Sequence, residues 1–106
     1  MSGLNHKQVF EMFAEKAKKE LGNSLQQLVL YGSVARNEET PDSDIDVFVV
    51  VDNEDDLEFL RDLAFDFGVL EHGVSISVQG KVKDDFEDFS NSSYLRNVNR
   101  DGIRYA

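Results

Sequence analysis

Leu28-Val29-Leu30-Tyr31-Gly32-Ser33-Val34-Ala35-Arg36, followed by Asp42-Ser43-Asp44-Ile45-Asp46-Val47-Phe48-Val49-Val50-Val51, decides the fold. The first stretch is an apolar run ending in Gly-Ser, which reads as a strand that turns sharply. Gly32 can adopt backbone angles closed to residues with a Cβ, and it lets a ligand come close to the main chain. Ser33 adds a hydroxyl and a helix-start N–H, both suited to a phosphate oxygen. Ten residues separate Ser33 from Asp44. Asp44-Ile45-Asp46 then leads into a second apolar run. Side chains alternate along a strand, so Asp44 and Asp46 share a face, with Cα atoms about 6.5–7 Å apart. Two carboxylates at that spacing can converge on a hard, oxygen-seeking cation such as Mg²⁺ or Mn²⁺. A phosphate grip beside such a pair is what metal-assisted phosphoryl or nucleotidyl transfer requires.

Working outward, Asn5 reads as a helix N-cap, with Gln8 completing a capping box and Leu4 and Val9 placed for a hydrophobic staple. Val9, Phe10, Phe13, Ala14, Ala17 and Leu21 repeat at helical spacing, and Gly22 is a natural stop, giving a helix over 5–21. The first strand is expected at 26–31, a short helix at 33–37, a polar turn around the only proline, Pro41, and a second strand at 44–51. Beyond Val47 that second strand is apolar on both faces, as in a central, covered strand. The cluster Asp52-Asn53-Glu54-Asp55-Asp56 reads as an N-cap with acids in the first turn, where the helix dipole favours them. Leu57, Leu60, Leu63, Ala64 and Phe67 form the buried stripe of a helix over 54–67, with Gly68 as its expected end. A third strand follows at 69–79, with Val74, Ile76 and Val78 on one face and Ser75, Ser77 and Gln79 on the other. Short helices near 84–90 and 94–101 complete an αβ(α)βαβαα order, stopped by Gly102. That order predicts an α/β (α+β) domain with one layer of helices on a small sheet.

The chain has 106 residues and no cysteine, so one domain over 1–106 is expected, without disulfide, thiolate metal site or cysteine nucleophile. A domain of this size buries about 60–68% of its unfolded surface, enough for a modest core. No run approaches the ~20 apolar residues of a membrane span. A cytoplasmic location and no membrane partner are expected on these grounds. The formal charge is -10, concentrated between Glu38 and Asp88, where 17 acids face 3 bases. An acidic middle opposes direct binding to a nucleic-acid backbone, which rewards basic patches. It favours a basic partner or cations.

The residues Gly32, Ser33, Asp44 and Asp46 resemble the signature of the DNA polymerase β-type nucleotidyltransferase superfamily. The longer string Tyr31-Gly32-Ser33-Val34-Ala35-Arg36…Ser43-Asp44-Ile45-Asp46 is similar to its minimal members, the MNT domains that partner HEPN-domain proteins. The tail from Tyr94 to Tyr105 also resembles MNT proteins, so the likeness spans nearly the whole chain. It implies a polymerase β palm-like nucleotidyltransferase fold with a mixed sheet whose open face carries the site. It also implies a triphosphate held at Gly32 and Ser33, Mg²⁺ or Mn²⁺ at Asp44 and Asp46, and ATP as substrate. The chain departs from the superfamily at one place. A third carboxylate is expected on the next strand, beside the first two, and Ser75 and Ser77 stand there instead. Glu71, in phase with them, is the nearest acid.

Each of these residues also has a plainer reading. Asp44 and Asp46 can be solvated acids at a strand entrance, although acids are depleted in strands and a same-face pair repels itself. Ser33 can be an N-cap alone. Arg36 can neutralise phosphate or pair with Glu38, Glu39 or a nearby aspartate. His6 and His72 lack a second histidine at ligand spacing and read as surface residues. An EF-hand reading of Asp42, Asp44 and Asp46 fails, because Val47 occupies the position that needs glycine and Asn53 the one that needs glutamate. Two functions compete. One is a Mg²⁺-dependent enzyme that places AMP from ATP on a hydroxyl of a partner protein, a HEPN toxin by resemblance. The other is a catalytically weakened nucleotide-binding module that neutralises its partner by complex formation. Homo-oligomers are compatible with either.

Overall fold

The structure, a computed structural model, describes residues 5–84 and 102–106. Helix α1 (His6–Leu21) starts at the expected capping box. Asn5 Oδ1 accepts from the Gln8 N–H at 2.8 Å, and Gln8 Oε1 accepts from the Asn5 N–H at 3.0 Å. Two orphan donors of the first turn are thereby satisfied. Strand β1 (Leu25–Tyr31) runs into a single short helical turn, α2 (Gly32–Ala35). Strand β2 (Ile45–Val51) follows a turn through Pro41 and Asp42. Helix α3 (Glu54–Leu63) is capped by Asn53, which accepts from the Asp56 N–H at 3.0 Å. The acids Glu54, Asp55 and Asp56 occupy its first turn, as expected from the dipole.

Beyond Leu63 the structure departs from the expectation. The helix does not stop at Gly68 but continues as a π-helical segment over Ala64–His72, closed by Gly73 in the left-handed conformation. Gly68 is a packing glycine rather than a terminator: a Cβ there would lie 2.6 Å from the Val74 carbonyl oxygen and 2.9 Å from Ile76 Cγ1. Val69 and Leu70, which read as the start of a strand, are exposed on this helical segment. Strand β3 accordingly begins later and ends later than expected, over Ile76–Val82. Strand β4 (Ile103–Arg104) was not expected, and it pairs antiparallel with Val29 and Leu30. The expected helix near 84–90, except for Asp84, the expected helix at 94–101 and the Leu4 staple lie outside the described residues.

Among the described residues the sheet is mixed and four-stranded, in the order β3-β2-β1-β4. The β1–β2 and β1–β4 pairs are antiparallel and β2–β3 is parallel. Alternation divides the sheet into two faces. Leu28, Leu30, Ile45, Val47, Val49, Ile76 and Val78 pack with Phe10 and Phe13 of α1, Leu57 and Leu60 of α3, and Phe67 of the π segment. Burial of a Phe or Leu side chain in such a core stabilises by about 1.5–3 kcal/mol each. The opposite face carries Val29, Phe48 and Val50, also buried, with Tyr31 against them. Strand β2 is therefore covered on both sides, as its continuous apolar run predicted. Asp46 and Ser77 fall on that second face, away from α1 and α3.

Candidate functional site

The site is built where β1 turns. Gly32 has φ +77°, a conformation that a residue with a Cβ adopts only at a cost. A Cβ at Gly32 would also overlap the Asp46 carboxylate and lie 3.1 Å from its Cγ. The register explains the proximity. Tyr31, the last residue of β1, pairs directly with Asp46 of β2, so the next residue turns over the carboxylate. The turn and the second aspartate of the motif thus meet through backbone pairing.

Asp44 lies just before β2 and is exposed, whereas Asp46 is half-buried. Burial pushes the Asp46 carboxyl above the usual aspartate range, the Asp44 charge adds to the rise, and the Arg36 guanidinium draws it back. The two aspartates therefore interact as like charges. Arg36 closes the short helix with its backbone N–H on the Gly32 carbonyl at 3.2 Å. Its Nε reaches Glu38 Oε2 at 3.2 Å, an exposed pair of small energetic worth. Of its two expected roles the pairing one is present, with Glu38 in contact and the charge of a nearby aspartate, Asp46, felt as well. Ser33 is half-exposed, and its carbonyl accepts from the Glu38 N–H at 2.8 Å, tying down the loop that follows.

The parallel register places Ser77 beside Asp46, on the neighbouring strand and the same face. The position at which a third carboxylate was expected is thus held by a serine. Ser75 precedes β3, and its carbonyl accepts from the Ile45 N–H at 2.8 Å. Glu71 is corrected: it belongs to the exposed end of the π segment, not to β3. Among the described residues no three His, Cys, Asp or Glu side chains gather as a ligand cluster. The donor set nevertheless suits one oxygen-seeking cation, because two carboxylates that raise each other's charge cost leave negative charge that Arg36 only partly offsets, and the cradle above Asp46 is kept free of a Cβ.

Both histidines differ from a plain surface reading. His72 packs edge-on against Phe67, with ring centroids 4.6 Å apart, and both ring nitrogens are buried without a hydrogen-bond partner among the described residues. The ring of His6 donates from Nε2 to the Ser43 carbonyl at 2.9 Å, directly before Asp44. Histidine spacing in the sequence gave no sign of either contact, because each depends on tertiary packing.

The raised Asp46 carboxyl sets a stability expectation. Its contribution is fully present below the ordinary aspartate pKa and is lost as pH rises through the higher folded value. At neutral pH, without cations, Asp46→Asn should therefore raise the urea midpoint, and the gap from the native chain should close on acidification. A variant less stable than the native chain at neutral pH would contradict the assigned repulsion.

A nucleotidyltransferase domain model matches residues 11–103. A protein of Methanocaldococcus jannaschii named "Putative protein adenylyltransferase" is 29% identical over 99 residues, covering 93% of this chain and 96% of that protein. The fold is similar to a crystal structure described as a toxin–antitoxin with AMP-PNP, at TM-score 0.57 and 20% identity, covering 89% of this chain and 70% of that one. It is also similar to a mutant of the toxin–antitoxin MntA–HpeT, at TM-score 0.54 and 18% identity, covering 95% and 72%. No helix among the described residues is long and apolar enough to cross a membrane. With the Gly-Ser turn seated on the second aspartate and the domain model running across nearly the whole length, the chain belongs to the nucleotidyltransferase domain family.

Proposed function

We propose that this domain transfers AMP from ATP, with Mg²⁺ or Mn²⁺, to a hydroxyl on a partner protein, and that the partner is a HEPN-domain toxin. The observation that carries the proposal is the seating of the Asp46 carboxylate against the Cβ-free turn at Gly32, with the charge of Asp44 acting on it. The relative named as a protein adenylyltransferase and the toxin–antitoxin neighbour with AMP-PNP support the donor and the kind of acceptor.

In this reading Asp44 and Asp46 hold one divalent cation, which when bound neutralises phosphate charge and polarises the phosphorus–oxygen bonds. The Gly32 turn leaves room for the triphosphate, and the Ser33 hydroxyl donates to a phosphate oxygen. Arg36 adds positive charge on the same side. The acceptor oxygen forms a bond to the α-phosphorus, the bond from that phosphorus to the bridging oxygen breaks, and pyrophosphate leaves. Ser77 cannot take the acceptor's proton as a carboxylate would, so this step is the weak one.

The test is incubation with ATP labelled at the α-phosphate, Mg²⁺ and the product of the neighbouring gene. Label on that protein is expected. Intact binding without label would remove the proposal and leave a second reading, favoured by Ser77 beside Asp46, in which the domain neutralises its partner by complex formation. Ser77→Asp separates the two. It restores a carboxylate one strand away, about 4.8 Å across the sheet, and should raise the transfer rate about tenfold and Mn²⁺ stoichiometry from one to two. An unchanged rate and stoichiometry would show that the missing acid is not what limits the site.

A further inference from the structure

We infer that His6 is a positioning residue for the cation site, acting through the carbonyl of Ser43. The inference rests on the proposed role of Asp44 and Asp46. Asp44 precedes β2 and lacks the ladder that fixes Asp46 between Tyr31 and Ser77. Its place must come from its neighbours in the chain, and both are pinned. On one side the Ser43 carbonyl accepts from His6 Nε2 at 2.9 Å. On the other the Ile45 N–H donates to the Ser75 carbonyl at 2.8 Å. The preceding turn is closed on itself, with the Ser43 N–H donating to the Thr40 carbonyl at 3.0 Å and Ser43 Oγ accepting from the Thr40 N–H at 2.9 Å. Two hydrogen bonds hold that turn together, and His6 ties it to the body of the protein.

The anchor is suited to the task. His6 is the first residue of α1, held by the Asn5–Gln8 capping box on one side and by the buried Val9, Phe10 and Phe13 on the other. Its partner is 37 positions away in the sequence, so the bond joins the helix layer to the site loop. A carbonyl can only accept, so Nε2 carries the proton, and the neutral ring in this tautomer and the imidazolium both make the bond. Outer-shell partners that orient ligands typically change metal affinity about 10–100-fold when removed.

The experiment compares the native chain, His6→Ala, His6→Gln and Asp46→Asn. Mn²⁺ binding is followed by loss of the free-ion EPR signal in the presence of a non-hydrolysable ATP analogue, and amide exchange at Ile45 is followed without metal. His6→Ala should weaken Mn²⁺ about tenfold and speed Ile45 exchange about tenfold, the loss of one net hydrogen bond. His6→Gln, whose side-chain N–H extends to the place of Nε2, should restore most of both. If Asp46→Asn abolishes Mn²⁺ binding while His6→Ala leaves affinity unchanged, the positioning role is overturned and the proposed site stands. If the native chain binds no Mn²⁺, the proposed site fails and the role of His6 at a cation site is overturned with it, and Ile45 exchange then shows separately whether the His6 bond holds the segment before Asp44: faster exchange in His6→Ala means that it does, and unchanged exchange that it does not.

Discussion

Replacing Asp44 and Asp46 together by asparagine should lower transfer to the partner by about 10³-fold or more, while the domain stays folded and the complex still forms. Asparagine keeps the shape of aspartate and removes its charge. A divalent cation contributes several kcal/mol to such a displacement, and each 1.36 kcal/mol is about tenfold in rate. The folded state should not suffer, because Asp46 is held in a half-buried place where its own charge is opposed by burial and by Asp44. Radiolabel incorporation measures the loss, and co-purification verifies the complex. A double variant that still neutralises the partner would show that catalysis is dispensable to neutralisation. Loss of neutralisation with the complex intact would show that occlusion is insufficient.

Gly32→Ala should be nearly as severe in activity and, unlike the aspartate variants, should also destabilise the protein. Two costs coincide at this position. The backbone sits at φ +77°, which costs an alanine about 1–2 kcal/mol. The new Cβ falls on the Asp46 carboxylate, so either the turn or Asp46 must move. Displacing a catalytic group by as little as about 1 Å can cost 10²-fold in rate. Urea unfolding and labelled-ATP transfer measure the two effects separately. A stable Gly32→Ala protein with full activity would show that the turn is not held against Asp46.

The parts of the fold written in local chemistry were legible in the sequence. Asn5 and Gln8 specify the start of α1, Asn53 with three acids specifies the start of α3, and the run Val47–Val51 specifies a covered central strand. The meeting of the Gly32 turn with Asp46 was legible for the same reason: the two lie at the ends of two strands whose apolar runs fix their pairing. Misreadings arose where glycine and short apolar runs carry two meanings. Gly68 looks like a helix stop but is small because Val74 and Ile76 press on it. Val69 and Leu70 look like strand residues but continue the helix in π register. Moving the start of β3 to Ile76 removes Glu71 from that strand and leaves Ser77 beside Asp46. Strand β4 and the His6–Ser43 bond had no local signal, since each is a contact between segments far apart in the chain.

Thermal unfolding with Mn²⁺, a non-hydrolysable ATP analogue, or both is the most direct measurement of the central claim, that one cation is shared by Asp44, Asp46 and a triphosphate seated at Gly32 and Ser33. A ligand that binds only the folded state stabilises it by RT ln(1 + [L]/Kd). Because two carboxylates leave coordination places that phosphate oxygens can fill, the shift with both ligands should exceed the sum of the separate shifts. Asp46→Asn should abolish the excess, and Ser33→Ala should weaken chiefly the nucleotide part. No shift under any condition, or one that survives Asp46→Asn unchanged, would contradict the site and leave only the fold.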